Sequence, residues 1–132
     1  MEYSGTLTVR VYTSRAELPI EGATVVVTQD GGQGKLDLLS VQVTDSSGRI
    51  KPVRIETPAL WESESPAGEN MGAPFALCNV WAEHPGYGML EVEGVQIFPG
   101  IETMQDMELA PLAEGQTSLQ RRDLRQIAIQ NL

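Results

Sequence analysis

Histidine and cysteine, the side chains that most often serve as catalytic base and nucleophile, are scarce in this chain. His84 is the only histidine and Cys78 the only cysteine among 132 residues. Histidine titrates near neutral pH, so the adjacent Glu83 and His84 form a candidate general-acid pair. His84 precedes a proline in a predicted turn, however, and the sequence places no serine or cysteine nucleophile beside it. We therefore expect His84 to be structural and Cys78, at the centre of a predicted strand, to be a small buried side chain.

Two glycine-containing loops are candidate ion sites. The run 31–34 precedes Lys35, as in loops that cradle phosphates, but no serine or threonine follows the lysine and no helix signal follows the loop. We expect a mobile hairpin loop there. Asp45 begins a turn that ends at Gly48, and calcium would require further oxygen ligands, which are not adjacent. We expect a plain turn, no metal site and no cofactor.

Enzyme signatures are also missing from the sequence. There is no His-Glu-x-x-His zinc motif, no Gly-x-Ser-x-Gly nucleophile elbow and no Gly-Lys-Ser/Thr phosphate loop. A single histidine and a single cysteine exclude a multi-histidine metal site and a structural zinc site. The sequence therefore predicts a protein that is not an enzyme.

Composition and charge restrict the classes of partner. The chain has 9 basic and 18 acidic residues, a net charge of −9, whereas nucleic-acid binders need a basic surface. No apolar stretch is long enough to span a membrane. The N-terminus lacks a basic region followed by an apolar core, so we expect no ordinary signal peptide, which favours the cytoplasm or a spore mother cell. We expect neither nucleic acid nor membrane as a partner.

Short segments with period-two alternation dominate the chain. In the first of them Leu7, Val9 and Val11 occupy one face and polar residues the other, which indicates a half-buried strand. Pro52 places one segment at a sheet edge or a bulge. Turn residues separate the segments at the spacing typical of a sandwich. The seven predicted strands cover residues 6–12, 23–28, 38–44, 49–56, 75–83, 89–97 and 103–109.

Two segments do not fit strands. Residues 57–74 contain three prolines and several acidic residues, and we predict a long loop. In the tail, Leu124, Ile127 and Ala128 have helical spacing. We therefore predict one β-sandwich domain over residues 1–112, followed by a linker or short C-terminal helix over residues 113–132, in preference to a packed strand there.

Four motifs occur in order along the chain. They are G-T-L-T-V-R-V from Gly5, P-I-E-G-A-T-V-V-V from Pro19, T-D-S-S-G-R-I from Thr44 and A-E-H-P-G-Y from Ala82. Their order resembles the carboxypeptidase regulatory-like, or transthyretin-like (prealbumin-like), β-sandwich family over about residues 5–112. The resemblance implies an all-β, seven-stranded Greek-key β-sandwich. The purine-catabolic hydrolases of this fold need more than one histidine and a basic cluster, which this chain lacks.

A narrower resemblance concerns residues 94–109 and the A-E-H-P-G-Y element. They are similar to an accessory domain of clostridial spore cortex-lytic and peptidoglycan-binding proteins. This similarity implies a location in the bacterial cell envelope or spore, which conflicts with the expectation of no signal peptide. The compartment is left open by these two indications.

The sequence therefore predicts a non-enzymatic accessory or interaction module, a monomer or weak homo-oligomer, that binds a protein partner. The candidate binding residues are Trp61 in the long loop and Tyr87 and Phe98 near turns. Trp61 is equally expected to cover the open end of the core, and Tyr87 to anchor a turn through its hydroxyl. The alternative is a carbohydrate- or peptidoglycan-binding domain, with stacking and hydrogen-bonding groups from Trp61, Trp81, Glu62, Asn70 and Asn79. Self-assembly through an exposed edge strand is a third possibility.

Overall fold

The fold is built entirely from strands in the part of the chain that is described. A computed structural model describes residues 3–14, 16–58 and 75–112, and the backbone of residues 122–126. Within these ranges no helix is long and apolar enough to cross a membrane. The strands are β1 (Tyr3–Thr13), β2 (Thr24–Gly32), β3 (Lys35–Val43), β4 (Val53–Thr57), β5 (Ala76–Glu83), β6 (Met89–Ile97), β7 (Glu102–Leu109) and β8 (Arg122–Gln126).

Two sheets face each other. The smaller has the order β4-β1-β7, with β1 antiparallel to β4 and parallel to β7. The larger has the order β3-β2-β5-β6-β8. The chain crosses between the sheets after β1, β3, β4, β6 and β7, and the connections among β1–β7 are those of a Greek-key arrangement. Strands β1–β7 are the seven predicted ones, three in one sheet and four in the other, and the predicted sandwich is confirmed.

The core lies between the sheets and is formed by alternate residues of β1, β2, β4, β5, β6 and β7. Leu7, Val9 and Val11 of β1 are fully buried, as the alternation predicts, and they share one core with Val25 and Val27 of the other sheet. Burying a side chain of this size contributes about 1.5–3 kcal/mol. The other strands add Val53, Ile55, Cys78, Val80, Ala82, Leu90, Val92, Val95, Ile97, Met107 and Leu109.

The glycine-rich run forms a tight hairpin turn, and the hairpin that the sequence predicts is present. Gln33 and Gly34 have φ angles of 54° and 77°, and the flanking Gly32 and Lys35 are paired. Positive φ at both central residues is the property of the two-residue type I′ turn, whose twist matches that of the strands it joins. The β2–β3 hairpin therefore continues to its tip.

Asp45 stabilises the turn in which it lies. Its carboxylate accepts hydrogen bonds from the backbone N–H of Ser47 (2.8 Å) and of Arg49 (3.1 Å). The N–H of Gly48 donates to the Asp45 carbonyl at 2.9 Å. This is the plain turn that the sequence predicts.

The C-terminal tail contains a strand where the sequence predicts a linker or helix. Residues 122–126 form β8, which pairs in parallel with Met89–Glu93 of β6. The helical prediction is wrong for these residues, because pairing with a sheet edge outweighs weak local spacing. The rest of the tail, and the predicted loop from residue 59 to residue 74, lie outside the described residues.

Candidate functional site

The three candidate binding residues do not form one surface. Trp61 lies outside the described residues. Tyr87 precedes β6 and Phe98 follows it, so these two residues lie at opposite ends of the same strand. A site that combines Tyr87 with Phe98 is therefore not formed.

Tyr87 is held as part of the domain's own framework. It is half-buried against the core, and it forms an isolated β-bridge with Pro111. Its ring lies edge-on to His84, with 5.5 Å between ring centroids. Within the described residues, its ring and backbone contacts hold this turn.

Phe98 is also turned toward its own domain. Its ring packs against Phe75 with a centroid distance of 5.6 Å and a tilt of 55°. Its carbonyl accepts a hydrogen bond from Ile101 N–H at 3.2 Å in the turn before β7. Aromatic pairs of this geometry add about 0.5–1.5 kcal/mol beyond their buried area. Phe98 therefore has a structural role in this turn.

His84 stabilises the turn between β5 and β6. Its Nδ1 accepts a hydrogen bond from Gly86 N–H at 3.4 Å, and its carbonyl accepts one from Tyr87 N–H at 2.9 Å. Among the described residues, no group of three or more histidine, cysteine, aspartate or glutamate side chains is arranged to hold a metal ion.

Cys78 is buried in β5, where burial raises the pKa of its thiol to about 12. Because the thiolate is the nucleophile, we expect iodoacetamide at neutral pH to alkylate the folded protein at least about a hundredfold more slowly than the urea-unfolded chain. Equal alkylation rates in the two states would contradict this prediction.

The same pKa shift predicts a loss of stability in alkali. The folded state favours the neutral thiol, so this contribution is complete below the ordinary pKa of 9.0 and is lost as the pH rises toward 12. Between pH 9 and pH 12, urea unfolding should show a smaller loss of stability for Cys78→Ala than for the parent. The variant and the parent losing stability in parallel would contradict the assignment.

Strand β3 has the reverse of the usual polarity. Directly opposed residues of antiparallel strands point to the same face. Gln42 and Ser40 of β3 oppose the core residues Val25 and Val27, so polar side chains point inward. The apolar residues of β3 point to the outer face of the larger sheet, where they are between 56% and 64% exposed: Leu36, Leu38, Val41 and Val43.

A β-bulge keeps these four side chains on one face. The register with β2 shifts between Val27 and Thr28, which leaves Leu39 without a directly opposed residue. The extra residue changes the phase of the alternation. Leu36 and Leu38 before the bulge therefore share a face with Val41 and Val43 after it.

On the outer face, the apolar row of β3 continues across the neighbouring strands toward the middle of the sheet. Val26 opposes Val41, and Trp81 of β5 opposes Val26 on the other side. Val26 is only 7% exposed but is not part of the core cluster, so it is buried by neighbours on the outer face. We call the six residues the outer apolar patch: Leu36, Leu38, Val41, Val43, Val26 and Trp81.

The inward-facing side of β3 is fixed by Gln42. Its Oε1 accepts a hydrogen bond from Lys51 N–H at 2.9 Å, and its Nε2 donates to the Lys51 carbonyl at 3.0 Å. Nε2 also lies 3.0 Å from the hydroxyl of Ser40. The side-chain amide thus takes the place of a neighbouring peptide group and holds the strand in position.

The patch residues of β3 are not among the candidates that the sequence suggests. The alternation over residues 38–44 nevertheless contains the necessary signal. An alternating strand has one apolar and one polar row, but alternation does not state which row faces the core. The polar row of β3 faces inward because Gln42 finds backbone partners there.

Comparisons with known proteins support the fold and leave the function open. No protein-family model matches the sequence, and no curated protein matches it. The structure is similar to that of 5-hydroxyisourate hydrolase from Klebsiella pneumoniae, with a TM-score of 0.50, 18% identity, and coverage of 83% of this chain and 92% of that one.

Two other solved structures have the same arrangement. (S)-allantoin synthase matches with a TM-score of 0.55 and 12% identity, over 85% of this chain and 42% of that one. The minor pilin of Streptococcus agalactiae matches with a TM-score of 0.51 and 14% identity, over 89% of this chain and 48% of that one. This chain spans less than half of either protein. These likenesses show that the chain has the transthyretin-like β-sandwich fold.

Proposed function

We propose that this domain is a non-enzymatic interaction module that binds a protein partner through the outer apolar patch. The observation that carries the proposal is the row Leu36, Leu38, Val41 and Val43, each more than half exposed on an edge strand. Contiguous exposed apolar residues of this kind mark interaction surfaces. This patch replaces Tyr87 and Phe98 as the proposed contact surface.

The environments of Cys78 and His84 support a non-enzymatic role. Cys78 is buried with a raised pKa, and Nδ1 of His84 accepts a backbone hydrogen bond in a turn. The fold is shared with a 5-hydroxyisourate hydrolase. Hydrolases of that kind are expected to need several histidines, and this chain has one.

We further propose that the domain serves as an accessory module in a bacterial envelope or spore protein. The support is the motif resemblance to clostridial cortex-lytic and peptidoglycan-binding proteins, together with a fold that also occurs in a minor pilin. Such modules place their contact surfaces on a rigid sandwich, which limits the entropy lost on binding.

Site-specific photocrosslinking in the source organism tests the interaction function. With p-benzoylphenylalanine in place of Leu38, in the patch, we expect a discrete adduct with another protein. The control position is Glu56, exposed on β4 in the opposite sheet. No adduct at Leu38, or the same adduct from both positions, would contradict the proposed function.

A carbohydrate-binding role is the alternative, and Trp81 is the observation that favours it. Trp81 lies half-buried on the outer face, opposed by Glu91. Asn79, another member of the expected set, already accepts a hydrogen bond from Gly94 N–H at 3.2 Å. Trp61, Glu62 and Asn70 lie outside the described residues. Saturable retention on purified cortex or vegetative peptidoglycan that Trp81→Ala or Trp61→Ala abolishes would favour this alternative.

A further inference from the structure

We propose that the free edge of β3 takes up an extended protein segment with alternating apolar residues and a net positive charge. The segment would add to the larger sheet as a further strand beside β3. This inference rests on the proposed interaction function and specifies the shape and chemistry of the partner.

The backbone of β3 is available for strand addition. In the described part of the chain β3 pairs with β2 alone and so forms one edge of the sheet. Every second residue of an edge strand directs its N–H and C=O away from the sheet. Natural edges are usually protected by lysine, proline or other charged residues. The charged residues of β3, Lys35 and Asp37, lie at its first end. Residues 38–43, Leu-Leu-Ser-Val-Gln-Val, contain no charged residue and no proline, and the bulge at Leu39 is the one protective feature of this segment.

The patch specifies which side chains an added strand should carry. A strand paired with β3 would lie about 4.8 Å from it, with alternate side chains on the outer face. Those side chains would lie beside Leu38 and Val41, which are 64% and 56% exposed. Cross-strand apolar pairs stabilise sheets, so every second residue of the segment should be apolar.

The edge is already held in a strand conformation. Gln42 is tied to the backbone of Lys51 through both of its amide atoms. At the other end, the tight turn at Gln33 and Gly34 pairs Lys35 with Gly32. Little ordering of β3 is therefore needed when a partner strand binds.

Charge identifies the partner as basic. On β2, β3 and β5, the three strands that carry the patch, the charged residues are one basic, Lys35, and three acidic: Asp30, Asp37 and Glu83. Asp30 opposes Leu36 at one end of the patch, and Glu83 lies at the other end beside Thr24. The whole chain has a net charge of −9, so a second copy is repelled and a basic segment is attracted.

Synthetic peptides test the inference on the full chain. The probe is acetyl-Lys-Lys-Val-Thr-Val-Thr-Val-Lys-Lys-amide carrying a fluorophore, whose paired terminal lysines project to both faces of the strand. Binding is measured by fluorescence anisotropy. We expect saturable binding that weakens when NaCl is raised from about 50 to about 500 mM. A peptide with glutamate in place of lysine should bind at least about tenfold more weakly.

Backbone pairing is tested by N-methylation of alternate residues. Two complementary methylation patterns keep the side chains, but only one removes the N–H groups that face β3. We expect one pattern to abolish binding and the other to retain it. In hydrogen exchange, the unmodified peptide should protect amides of β3 and leave those of β1 and β7 unchanged.

Matched substitutions locate the site on the protein. Leu38→Lys and Val41→Lys should each weaken binding of the basic peptide at least about tenfold. The control is Ile101→Lys, a similarly exposed apolar residue (54%) in the turn before β7, which should leave binding unchanged. All three variants should unfold at the temperature of the parent, since the substituted side chains are exposed.

Different outcomes separate this inference from the function on which it rests. No binding of the basic peptide, or equal binding of the acidic one, overturns the inference, even where crosslinking through Leu38 still identifies a protein partner. Absence of that crosslink overturns the proposed function instead. If the free chain sediments as a dimer and Leu38→Lys converts it to a monomer, the occupant of the edge is a second copy of the chain. That result would overturn the proposal of a basic partner.

Discussion

Gly48→Ala is expected to lower the free energy of unfolding by at least about 3 kcal/mol and the melting temperature by about 10 °C. Gly48 has a φ of 74°, in the left-handed region that side chains disfavour. A Cβ at this position would also collide with the carbonyl oxygen of Val11, a backbone atom of the central strand of the smaller sheet. The measurement is urea and thermal unfolding followed by circular dichroism.

The collision cannot be relieved by a side-chain movement. The Gly48 carbonyl accepts a hydrogen bond from Val11 N–H at 2.7 Å, and Ile20 N–H donates to the Val11 carbonyl at 3.0 Å. Moving the turn away from β1 would break the first bond, and moving Val11 would disturb the second. The backbone strain and the collision therefore both reduce the stability of the whole sandwich.

Two other glycines separate the strain from the collision. Gly100 has a φ of 72°, but no atom lies within 4 Å of the position that a Cβ would take, so Gly100→Ala should cost only about 1–2 kcal/mol. Gly86 has neither a positive φ nor a close neighbour, so Gly86→Ala should change stability by less than about 0.5 kcal/mol. Equal losses for Gly48→Ala and Gly100→Ala would contradict the role assigned to the Val11 contact.

Thr44→Val is expected to destabilise the domain by about 2–4 kcal/mol. The Thr44 hydroxyl is buried, donates to the Ile20 carbonyl at 2.6 Å and accepts from Ala23 N–H at 2.9 Å. Valine has nearly the same shape but leaves both backbone groups without a partner. A buried backbone group without a hydrogen bond costs much more than the bond itself contributes.

A second substitution separates the contribution of the Thr44 hydroxyl to stability from that of its methyl group. Thr44→Ser keeps both hydrogen bonds and should lose only about 1 kcal/mol, the value of one buried methyl group. Thr28→Val is the control: Thr28 is buried to a similar degree, and its hydroxyl makes no hydrogen bond to another described residue. Thr44→Ser proving as unstable as Thr44→Val, by urea unfolding, would contradict the assignment.

The fold was largely predictable because its signals are local. Alternation in the segment that contains Leu7, Val9 and Val11 identifies a half-buried strand, and Asp45 and Gly48 identify a turn by their own hydrogen bonding and conformation. The order of such segments indicates a sandwich. The tail is the exception, since residues 122–126 become a strand only through pairing with β6.

The candidate site was not predictable in the same way. Tyr87 and Phe98 are candidates because aromatic residues near turns are often exposed, yet their rings pack against His84 and Phe75. The spacing of aromatic residues along the sequence does not show which rings will pack against each other. The long loop with Trp61 lies outside the described residues, so its role as a binding loop stays a prediction.

By itself, the sequence determined most of the strand segments, their turns, the acidic charge and the presence of a single histidine and a single cysteine. Only the tertiary structure decided which row of β3 faces the core. A strand has two rows, and Ser40 and Gln42 face inward because Gln42 reaches the backbone of Lys51, a partner brought to it by the fold. The apolar row is therefore left on the outer face, where it forms the surface proposed for a partner.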